Sequence, residues 1–273
     1  MGILYIVATP IGNLEDITLR ALRILKEVSL IAAEDTRTSR VLTNYFDIKT
    51  PMTSYHEHNK LSKLEQIYDA LAVGDVALIS DAGTPGISDP GYELIRGAIE
   101  HDITVVPIPG ANAVITALVA SGLPTDEFLY IGFLPRKSKA LKDRLTALST
   151  RTETMITYES PHRLTDTLSA IIEVMGGEHQ VCVAREITKK FEEFFRGSAQ
   201  EAYDHFSAEN PRGEVTLLIA GATVSNEAWT EARVKAELQT RLDDGESMSR
   251  ASKALAKLSG WRKSDIYSLG IDE

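Results

Sequence analysis

The chain has 273 residues, of which 43% are hydrophobic and 25% are charged. This length is sufficient for two domains that each bury a core, and the composition is typical of a soluble globular protein. The net charge of −10 excludes a bulk positive field that attracts nucleic acid, so any RNA contact must come from local basic clusters.

The amino-terminal segment and the cysteine content indicate the compartment. The first basic residue is Arg20, so the segment lacks the basic region of a signal peptide. The single cysteine, Cys182, cannot form an internal disulfide and is expected to be a small buried hydrophobe. Residues 103–125 carry no charge and are long enough to span a bilayer, but prolines, a glycine and an asparagine interrupt them early. We therefore predict a cytoplasmic protein in which this run forms a strand, a turn and a core helix.

In the first 121 residues, short apolar runs alternate with helical patterns. Buried strands are predicted at ILYIVA (3–8), SLIAA (29–33), near 50–55, DVALIS (75–80) and ITVVPI (103–108). Helices are predicted over 17–28, with Asp16 as the N-cap, and over 60–74, ending on a glycine. Strands separated by helices imply parallel pairing, so residues 1–121 are expected to form an N-terminal α/β domain.

A second α/β domain is predicted over residues 122–222, where Gly and Pro first interrupt the pattern. Its strands are expected at LYIGFL (129–134), ETMITYES (153–160), QVCVARE (180–186), FEEFFRG (191–197) and GEVTLLIAG (213–221). Residues 223–273 show three helical segments without a strand pattern, which predicts a small C-terminal helical module. The fold class is therefore α/β, with two α/β domains, a ligand cleft between them and this module.

The segment ISDAGTPGISDPG (79–91) directly follows a predicted strand. In a parallel α/β sheet, ligands bind beyond the carboxyl ends of the strands, and Gly83 and Gly86 permit a close approach of the backbone. We predict that this segment forms a ligand-cavity wall and that Asp89 caps the next helix. TPIGN (9–13) and PGANAV (109–114) end two other strands and are expected to complete the pocket, although ordinary turns also explain each loop alone.

Several common catalytic signatures are absent from the sequence. There is no G-x-G-x-x-G after a strand, no G-x-x-x-x-G-K-[ST], no H-E-x-x-H and no G-x-S-x-G. Dinucleotide binding, a Walker phosphate loop, a zinc site and a hydrolase triad are therefore not predicted, and no metal ligands are assigned.

Polar residues also follow the second and third predicted strands. Glu34, Asp35 and Arg37 come directly after the second strand and are expected to face the same crevice as residues 79–91. They could position a substrate hydroxyl or accept its proton, or they could be a helix cap with surface charges. His56, followed by Glu57, His58 and Asn59, ends the third strand in the same way.

Seven segments in this order and spacing resemble the ribosomal RNA methyltransferase branch of the tetrapyrrole (corrin and porphyrin) methylase superfamily. They are LYIVATPIGNLEDIT, LIAAEDTR, SYHEHN, ISDAGTPGISDPGY, VVPIPGANAVITAL, TYESPHRL and RGEVTLLIAG. The resemblance implies S-adenosylmethionine-dependent methylation of the 2′-hydroxyl of a cytidine in the decoding region of 16S ribosomal RNA. It also implies a donor cleft between two α/β domains and a homodimer. The first loop, TPIGN, departs from the Gly-rich loop of the wider superfamily, which argues against C-methylation of a tetrapyrrole.

The resemblance also implies roles for individual residues. The methyl-donor site falls on Pro10, Asp81, Gly83, Thr84, Ile87, Ala111, Asn112, Ala113 and Tyr158. The 2′-hydroxyl is a weak nucleophile that a base should activate, and Glu34, Asp35 and His56 are unranked candidates for that base.

Two basic clusters are candidates for RNA contact on this acidic chain, or they are solvated helix faces. RKSKALKDR (136–144) and SMSRASKALAKLSGWRK (247–263) each contain five basic residues. In the second, Ala251, Ala254, Leu255 and Leu258 are expected to form an apolar stripe, and Trp261 is expected in the core of a helix-turn-helix-like module. The predicted RNA contacts are Arg37, Arg136, Lys137, Arg250, Lys253, Lys257, Arg262 and Lys263.

Two other functions remain alternatives to an RNA methyltransferase. The protein could be a small-molecule methyltransferase or a non-catalytic RNA-binding assembly factor.

Overall fold

The structure is a computed structural model that describes residues 1–57, 59–208, 211–222, 229–243 and 245–270, without the side chains of Lys60 and Lys257. The chain divides into two compact units, residues 1–221 and 222–273. The first unit contains two five-stranded sheets, and the described part of the second is helical.

The first sheet is parallel throughout and has the order β3-β2-β4-β1-β5. Its strands are β1 Leu4–Val7, β2 Leu30–Ala33, β3 Met52–Ser54, β4 Val76–Ile79 and β5 Val105–Ile108. The helices that follow them are α1 Leu19–Glu27, α2 Thr36–Tyr45, α3 Lys60–Val73, α4 Tyr92–Glu100 and α5 Ala113–Ser121. Alternate residues of β1 pack into separate apolar clusters, Leu4 into one and Val7 into the other. Burial on both faces explains why the strands read as continuous apolar runs.

Two predicted helix caps are wrong. Asp16 lies in a short 3-10 helix, and α1 is capped by Thr18, whose hydroxyl oxygen accepts the N–H of Ala21 at 3.0 Å. Asp89 does not cap α4, because that helix begins after Gly91, which has no side chain and a φ of +155°. The side chain of Asp89 instead lies near Ser80 and lines a cavity.

The second sheet is mixed and has the order β6-β7-β10-β8-β9, with β6 and β7 parallel and the other pairs antiparallel. Its strands are β6 Phe128–Phe133, β7 Thr154–Glu159, β8 Gln180–Arg185, β9 Glu193–Ser198 and β10 Val215–Ile219. Helices α6 Ser138–Leu148, α7 Leu164–Met175 and α8 Ala199–Ala208 contribute to the apolar cluster on one face.

Helix α5 joins the two sheets into one body. Its residues Val114, Ala117 and Leu118 pack in one apolar cluster with Ile11 and with strands of the second sheet. Cys182 lies in this cluster, where burial raises the pKa of its thiol to about 11, in keeping with the predicted role of a small hydrophobe. A domain boundary at residue 121 remains a prediction, because residues 1–221 form a single compact unit.

The second unit contains α9 Glu231–Asp243, α10 Met248–Ser259 and α11 Lys263–Leu269 around a small apolar core. Trp261 packs against this core, and its indole N–H donates to the carbonyl of Trp229 at 2.7 Å. Leu258, predicted in the apolar stripe, is 56% exposed, because α10 ends one residue later and the chain turns at Gly260 (φ +71°).

The charge-free run at 103–125 forms β5, a turn and α5, as predicted. Among the described residues, no helix is both long enough and apolar enough to cross a membrane. The predicted fold class, two α/β layers with C-terminal helices, is confirmed.

Candidate functional site

Three loops at the carboxyl edge of the first sheet are held together by hydrogen bonds. Thr9 and Gly83 exchange two backbone bonds of 2.8 and 3.0 Å, which join the loops after β1 and β4. The hydroxyl of Thr84 donates to the carbonyl of Ala111 at 3.2 Å, and the amide of Asn112 donates to that hydroxyl at 3.2 Å. The three glycine-containing loops predicted to share one sheet edge are therefore in contact.

A cavity of about 360 Å³, the main cavity, lies between this edge and the second sheet. One wall comes from the loops after β4 and β5, and the opposite wall comes from the end of β7 and from residues 213–216. Its lining residues are Ala82, Gly83, Thr84, Ile87, Ser88, Asp89, Asn112, Ala113, Phe133, Tyr158, Glu159, Ser160, Pro161, Gly213, Glu214, Val215 and Thr216. The described lining includes three carboxylates and no lysine or arginine, and two of these carboxylates, Glu159 and Glu214, are paired with cations outside the lining.

A neighbouring cavity of about 360 Å³, the side cavity, shares Ala82 and Glu214 with the main cavity. Its other lining residues are Thr9, Pro10, Ile11, Gly12, Leu14, Thr38, Ser39, Val41, Leu42, Ile79, Ser80, Asp81 and Lys189. The ammonium of Lys189 pairs with Glu186 at 2.8 Å and with Glu214 at 3.1 Å. The loop at residues 80–82 therefore contributes to both cavities.

The predicted donor-binding residues are divided between these two cavities. Six line the main cavity, namely Gly83, Thr84, Ile87, Asn112, Ala113 and Tyr158. Pro10 and Asp81 line the side cavity instead, and Ala111 contributes the carbonyl that binds Thr84. Their roles in donor binding remain predictions.

Tyr158 connects the main cavity to an aromatic group on the second sheet. Its ring contacts Tyr130 and Phe133, with centroids 5.4 and 5.7 Å apart. Burial raises the pKa of the Tyr158 hydroxyl well above its ordinary value. The Tyr130 hydroxyl lies 2.6 Å from the Ser88 hydroxyl, so a hydrogen bond links the first-sheet loop to the second sheet.

The predicted acids after β2 contact the loop after β4. The backbone N–H of Asp35 donates to Asp81, and the backbone N–H of Asp81 donates to Glu34, at 3.1 and 3.2 Å. Asp35 also caps α2 and forms an ion pair with Arg37 at 2.6 Å. Its hydrogen bonds with Arg37 lower the pKa of Asp35 to about 2, whereas burial raises the pKa of Glu34. The geometry of Asp35 therefore matches the alternative of a helix cap with surface charge.

His56 does not line either of the two cavities. Its backbone N–H donates to the side chain of Asn59 at 2.8 Å, and the Asn59 amide donates back to Ser54, so this segment forms a tight turn after β3. His58 lies outside the described residues.

Asp89 was missed as a site residue by the sequence reasoning, which assigned it to a helix cap. It lines the main cavity, and burial together with the negative charge of Glu34 raises its pKa to about 6. The segment at residues 79–91 was predicted to form a cavity wall, but the position of Asp89 just before a predicted helix favoured the cap.

The predicted RNA-contacting side chains are exposed at Arg37, Arg136, Lys137, Arg250, Lys253, Arg262 and Lys263. The side chain of Lys257 lies outside the described part of the chain. Within the first basic cluster, Lys142 pairs with Glu173, so this lysine is partly neutralised. RNA contact by these residues remains a prediction.

No group of three or more His, Cys, Asp or Glu side chains in the described ranges is arranged to hold a metal ion.

Residues 3–203 match the model of the Tetrapyrrole (Corrin/Porphyrin) Methylases. The chain belongs to this family and is a methyltransferase. It is 47% identical over 273 residues to the ribosomal RNA small subunit methyltransferase I of Halalkalibacterium halodurans, covering 98% of this chain and 94% of the relative. It is 45% identical over 274 residues to the protein of the same name from Synechocystis sp., and this alignment covers 100% of this chain and 98% of the relative. The resemblance recognised in the seven segments is thereby confirmed.

Solved structures support the same fold. Cobalt precorrin-4 methyltransferase superimposes with a TM-score of 0.62 at 16% identity, covering 80% of this chain and 94% of that one. Uroporphyrin-III C-methyltransferase from Thermus thermophilus, complexed with S-adenyl homocysteine, superimposes with a TM-score of 0.57 at 18% identity. This superposition covers 80% of this chain and 97% of that one. At these identities the likeness establishes the fold alone.

Asn112 offers a test of the loop contacts at the main cavity. Its side-chain oxygen caps α5 by accepting the N–H groups of Val114 and Ile115, while its amide donates to Thr84. Asn112→Ala is expected to lower the free energy of unfolding by about 1 kcal/mol and the affinity for the methyl donor about fivefold. Serine also caps helices, so Asn112→Ser is expected to preserve stability and weaken donor binding alone. Urea unfolding measures the stability, and calorimetric titration measures the affinity for the methyl donor. Unchanged donor affinity in both variants would contradict a role of Asn112 in donor binding.

Proposed function

We propose that this protein transfers the methyl group of S-adenosylmethionine to the 2′-hydroxyl of a cytidine in 16S ribosomal RNA of the small ribosomal subunit. The observation that carries the proposal is the extent of the alignment. The family model ends at residue 203, whereas relatives named ribosomal RNA small subunit methyltransferase I align over 98–100% of the chain. The relationship therefore includes the C-terminal helices, with their exposed basic residues.

The main cavity suits the proposed donor. S-adenosylmethionine supplies an electrophilic methyl group on a sulfonium and is of a size that such a cavity accommodates. Thr84 and Asn112 offer polar groups on one wall, and the ring of Tyr158 offers an apolar surface on the other. A cavity of this size, mostly apolar with a few placed polar groups, is the usual form of a small-molecule site.

Methyl transfer from a sulfonium to oxygen is an in-line displacement with a good leaving group. Holding the two reactants in line therefore contributes most of the rate, and a nearby base removes the hydroxyl proton. The loops that contain Thr9, Gly83 and Asn112 are joined by hydrogen bonds, and they supply a fixed surface against which the two reactants can be held. The side cavity, which adjoins the main cavity, is the proposed approach of the acceptor ribose.

The proposed substrate is a polyanion, although the chain has a net charge of −10. Local exposed cations, including Arg136 and Lys137 in the first unit, are proposed to contact phosphate groups. A cytoplasmic location and a homodimeric assembly belong to the same proposal and rest on the family resemblance.

Transfer of labelled methyl from S-adenosylmethionine to purified small ribosomal subunits, and to naked 16S RNA, tests the proposal directly. A 2′-O-methylcytidine mapped to the decoding region is the expected product. Donor binding without transfer to either RNA would favour a small-molecule methyltransferase. Absence of thermal stabilisation by S-adenosylmethionine would instead favour an assembly factor without a donor site.

The basic residues of the second unit are expected to strengthen RNA binding. Replacing Arg250, Lys253, Arg262 and Lys263 with alanine should weaken affinity for the substrate RNA, because each phosphate left without its cation no longer releases a counterion on binding. The slope of log affinity against log salt should fall by about 0.7–0.9 for each such phosphate, measured by filter binding over a salt series. The matched control replaces four exposed cations of the first unit, Arg23, Lys26, Lys49 and Arg96. Equal slopes for the two variants would refute a specific role of the second unit.

A further inference from the structure

Asp89 lines the main cavity, which shares Ala82 and Glu214 with the side cavity. Its side chain lies near Ser80, a residue of the side cavity whose hydroxyl donates to the carbonyl of Ala82 at 3.2 Å. A donor in the main cavity and an acceptor that approaches from the side cavity therefore meet at this shared wall, with Asp89 on the donor side.

The other two carboxylates of the main cavity are occupied by partners. Glu159 lies 3.2 Å from the guanidinium of Arg163 and accepts the hydroxyl of Thr167 at 2.6 Å. Glu214 is paired with the ammonium of Lys189 at 3.1 Å. In the described part of the chain, Asp89 is thus the carboxylate of this lining that is not held in an ion pair.

The bases predicted from the sequence are less well placed. Asp35 is held by Arg37, and its lowered pKa makes it a weak base. Glu34 accepts the backbone N–H of Asp81, and neither Glu34 nor His56 lines the main or the side cavity. These positions suit a supporting role for Glu34, whose negative charge raises the pKa of Asp89.

We propose that Asp89 is the catalytic base, and this inference rests on the proposed function. Its carboxylate accepts the proton of the acceptor 2′-hydroxyl as the hydroxyl oxygen forms a bond to the methyl carbon. The carbon–sulfur bond breaks in the same step, its electron pair remains on sulfur, and neutral S-adenosylhomocysteine leaves. The proton then passes from Asp89 to solvent, so the step requires no further reactant.

The surroundings of Asp89 suit a base that works near neutral pH. Burial is the main cause of its raised pKa, about 6, and the negative charges of Glu34 and Asp81 add to it, while the Ser80 hydroxyl opposes it. Tyr130 and Tyr158 of the second sheet are neutral at this pH, as ordinary tyrosines are, and burial raises their pKa values further. A carboxylate with this pKa is ionised at pH 7.5 and accepts a proton more readily than an ordinary aspartate.

Asp89→Asn provides the test in the full-length protein, with wild type and Asp69→Asn, an exposed aspartate on α3, as controls. Methyl transfer to small ribosomal subunits and affinity for S-adenosylmethionine are measured in parallel. We expect kcat to fall by about 10²–10⁴ in Asp89→Asn, while the donor Kd stays within about threefold and Asp69→Asn behaves as wild type. A normal kcat in Asp89→Asn, or a donor Kd that weakens in proportion to kcat, would overturn the inference. Failure of wild type to transfer any methyl group would instead overturn the proposed function.

A second variant keeps the inference testable if Asp89→Asn does not fold. The acidic limb of the wild-type kcat profile is expected near pH 6, with activity falling tenfold per pH unit below it. Because the nearby Ser80 hydroxyl lowers the pKa of Asp89, Ser80→Ala should move this limb to higher pH. A limb that stays at the wild-type pH in Ser80→Ala would show that another group titrates and would refute the assignment.

Discussion

Arg163→Met is expected to lower the free energy of unfolding by about 3 kcal/mol, because it leaves a fully buried carboxylate without its cation. Arg163 forms an ion pair with Glu159 at 3.2 Å, where the Glu159 side chain is 0% exposed and that of Arg163 is 22% exposed. The guanidinium also donates to the carbonyls of Leu134 and Pro135 at the end of β6. Removing one partner of a buried ion pair typically lowers the free energy of unfolding by about 3–5 kcal/mol. We expect a value at the lower end of this range, because the Arg163 side chain is partly exposed to solvent.

A double variant separates the unpaired charge from the change in packing. Glu159→Gln combined with Arg163→Met removes both charges, so it should recover at least about half of the stability that Arg163→Met loses. Urea unfolding of the wild type, both single variants and the double variant gives the coupling energy. A loss below about 1 kcal/mol in Arg163→Met, or a double variant no more stable than that single variant, would show that this pair contributes little to the second sheet.

Gly83→Val is expected to weaken donor binding about 30-fold or more and to lower stability by about 1–2 kcal/mol. Gly83 has a φ of +79°, which is strained for a β-branched residue, and it lines the main cavity. A Cβ at this position would lie 3.4 Å from the side chain of Ile11, an ordinary contact, so the expected losses come from the strained φ and from methyl groups that occupy the cavity. Calorimetric titration with S-adenosylmethionine measures the loss of affinity.

Gly176→Val is the matched control for Gly83→Val. Gly176 also has a positive φ, +97°, but it ends α7 outside the cavity linings, and a Cβ there would meet no atom within 4 Å. This variant should lose similar stability and retain its donor affinity. Equal donor affinities in the two variants would mean that the Gly83 loop does not form part of the donor site.

The local pattern of the sequence predicted most of the fold. Burial on both faces makes strands such as β1 and β4 read as apolar runs, and the interposed helices require parallel pairing. Because parallel strands end at a common edge, the sequence also predicted that the loops containing Gly83 and Asn112 meet, and their hydrogen bonds agree. Seven segments in a fixed order were sufficient to recognise the family.

The tertiary structure alone decided which acids lie at the main cavity and which of them are paired. Asp89 looks like a helix cap in the sequence, and its place in the cavity wall depends on how the chain returns from residue 81 to residue 91. Glu159 lies in a predicted strand, and only the fold shows that its buried carboxylate is paired with Arg163. Periodicity reports which face of an element is apolar, whereas the partner of a polar side chain depends on contacts between elements distant in sequence. For that reason the sequence determined the layers and the sheet edge where the two cavities lie, and only the assembled fold distinguished the candidate base from its neighbouring acids.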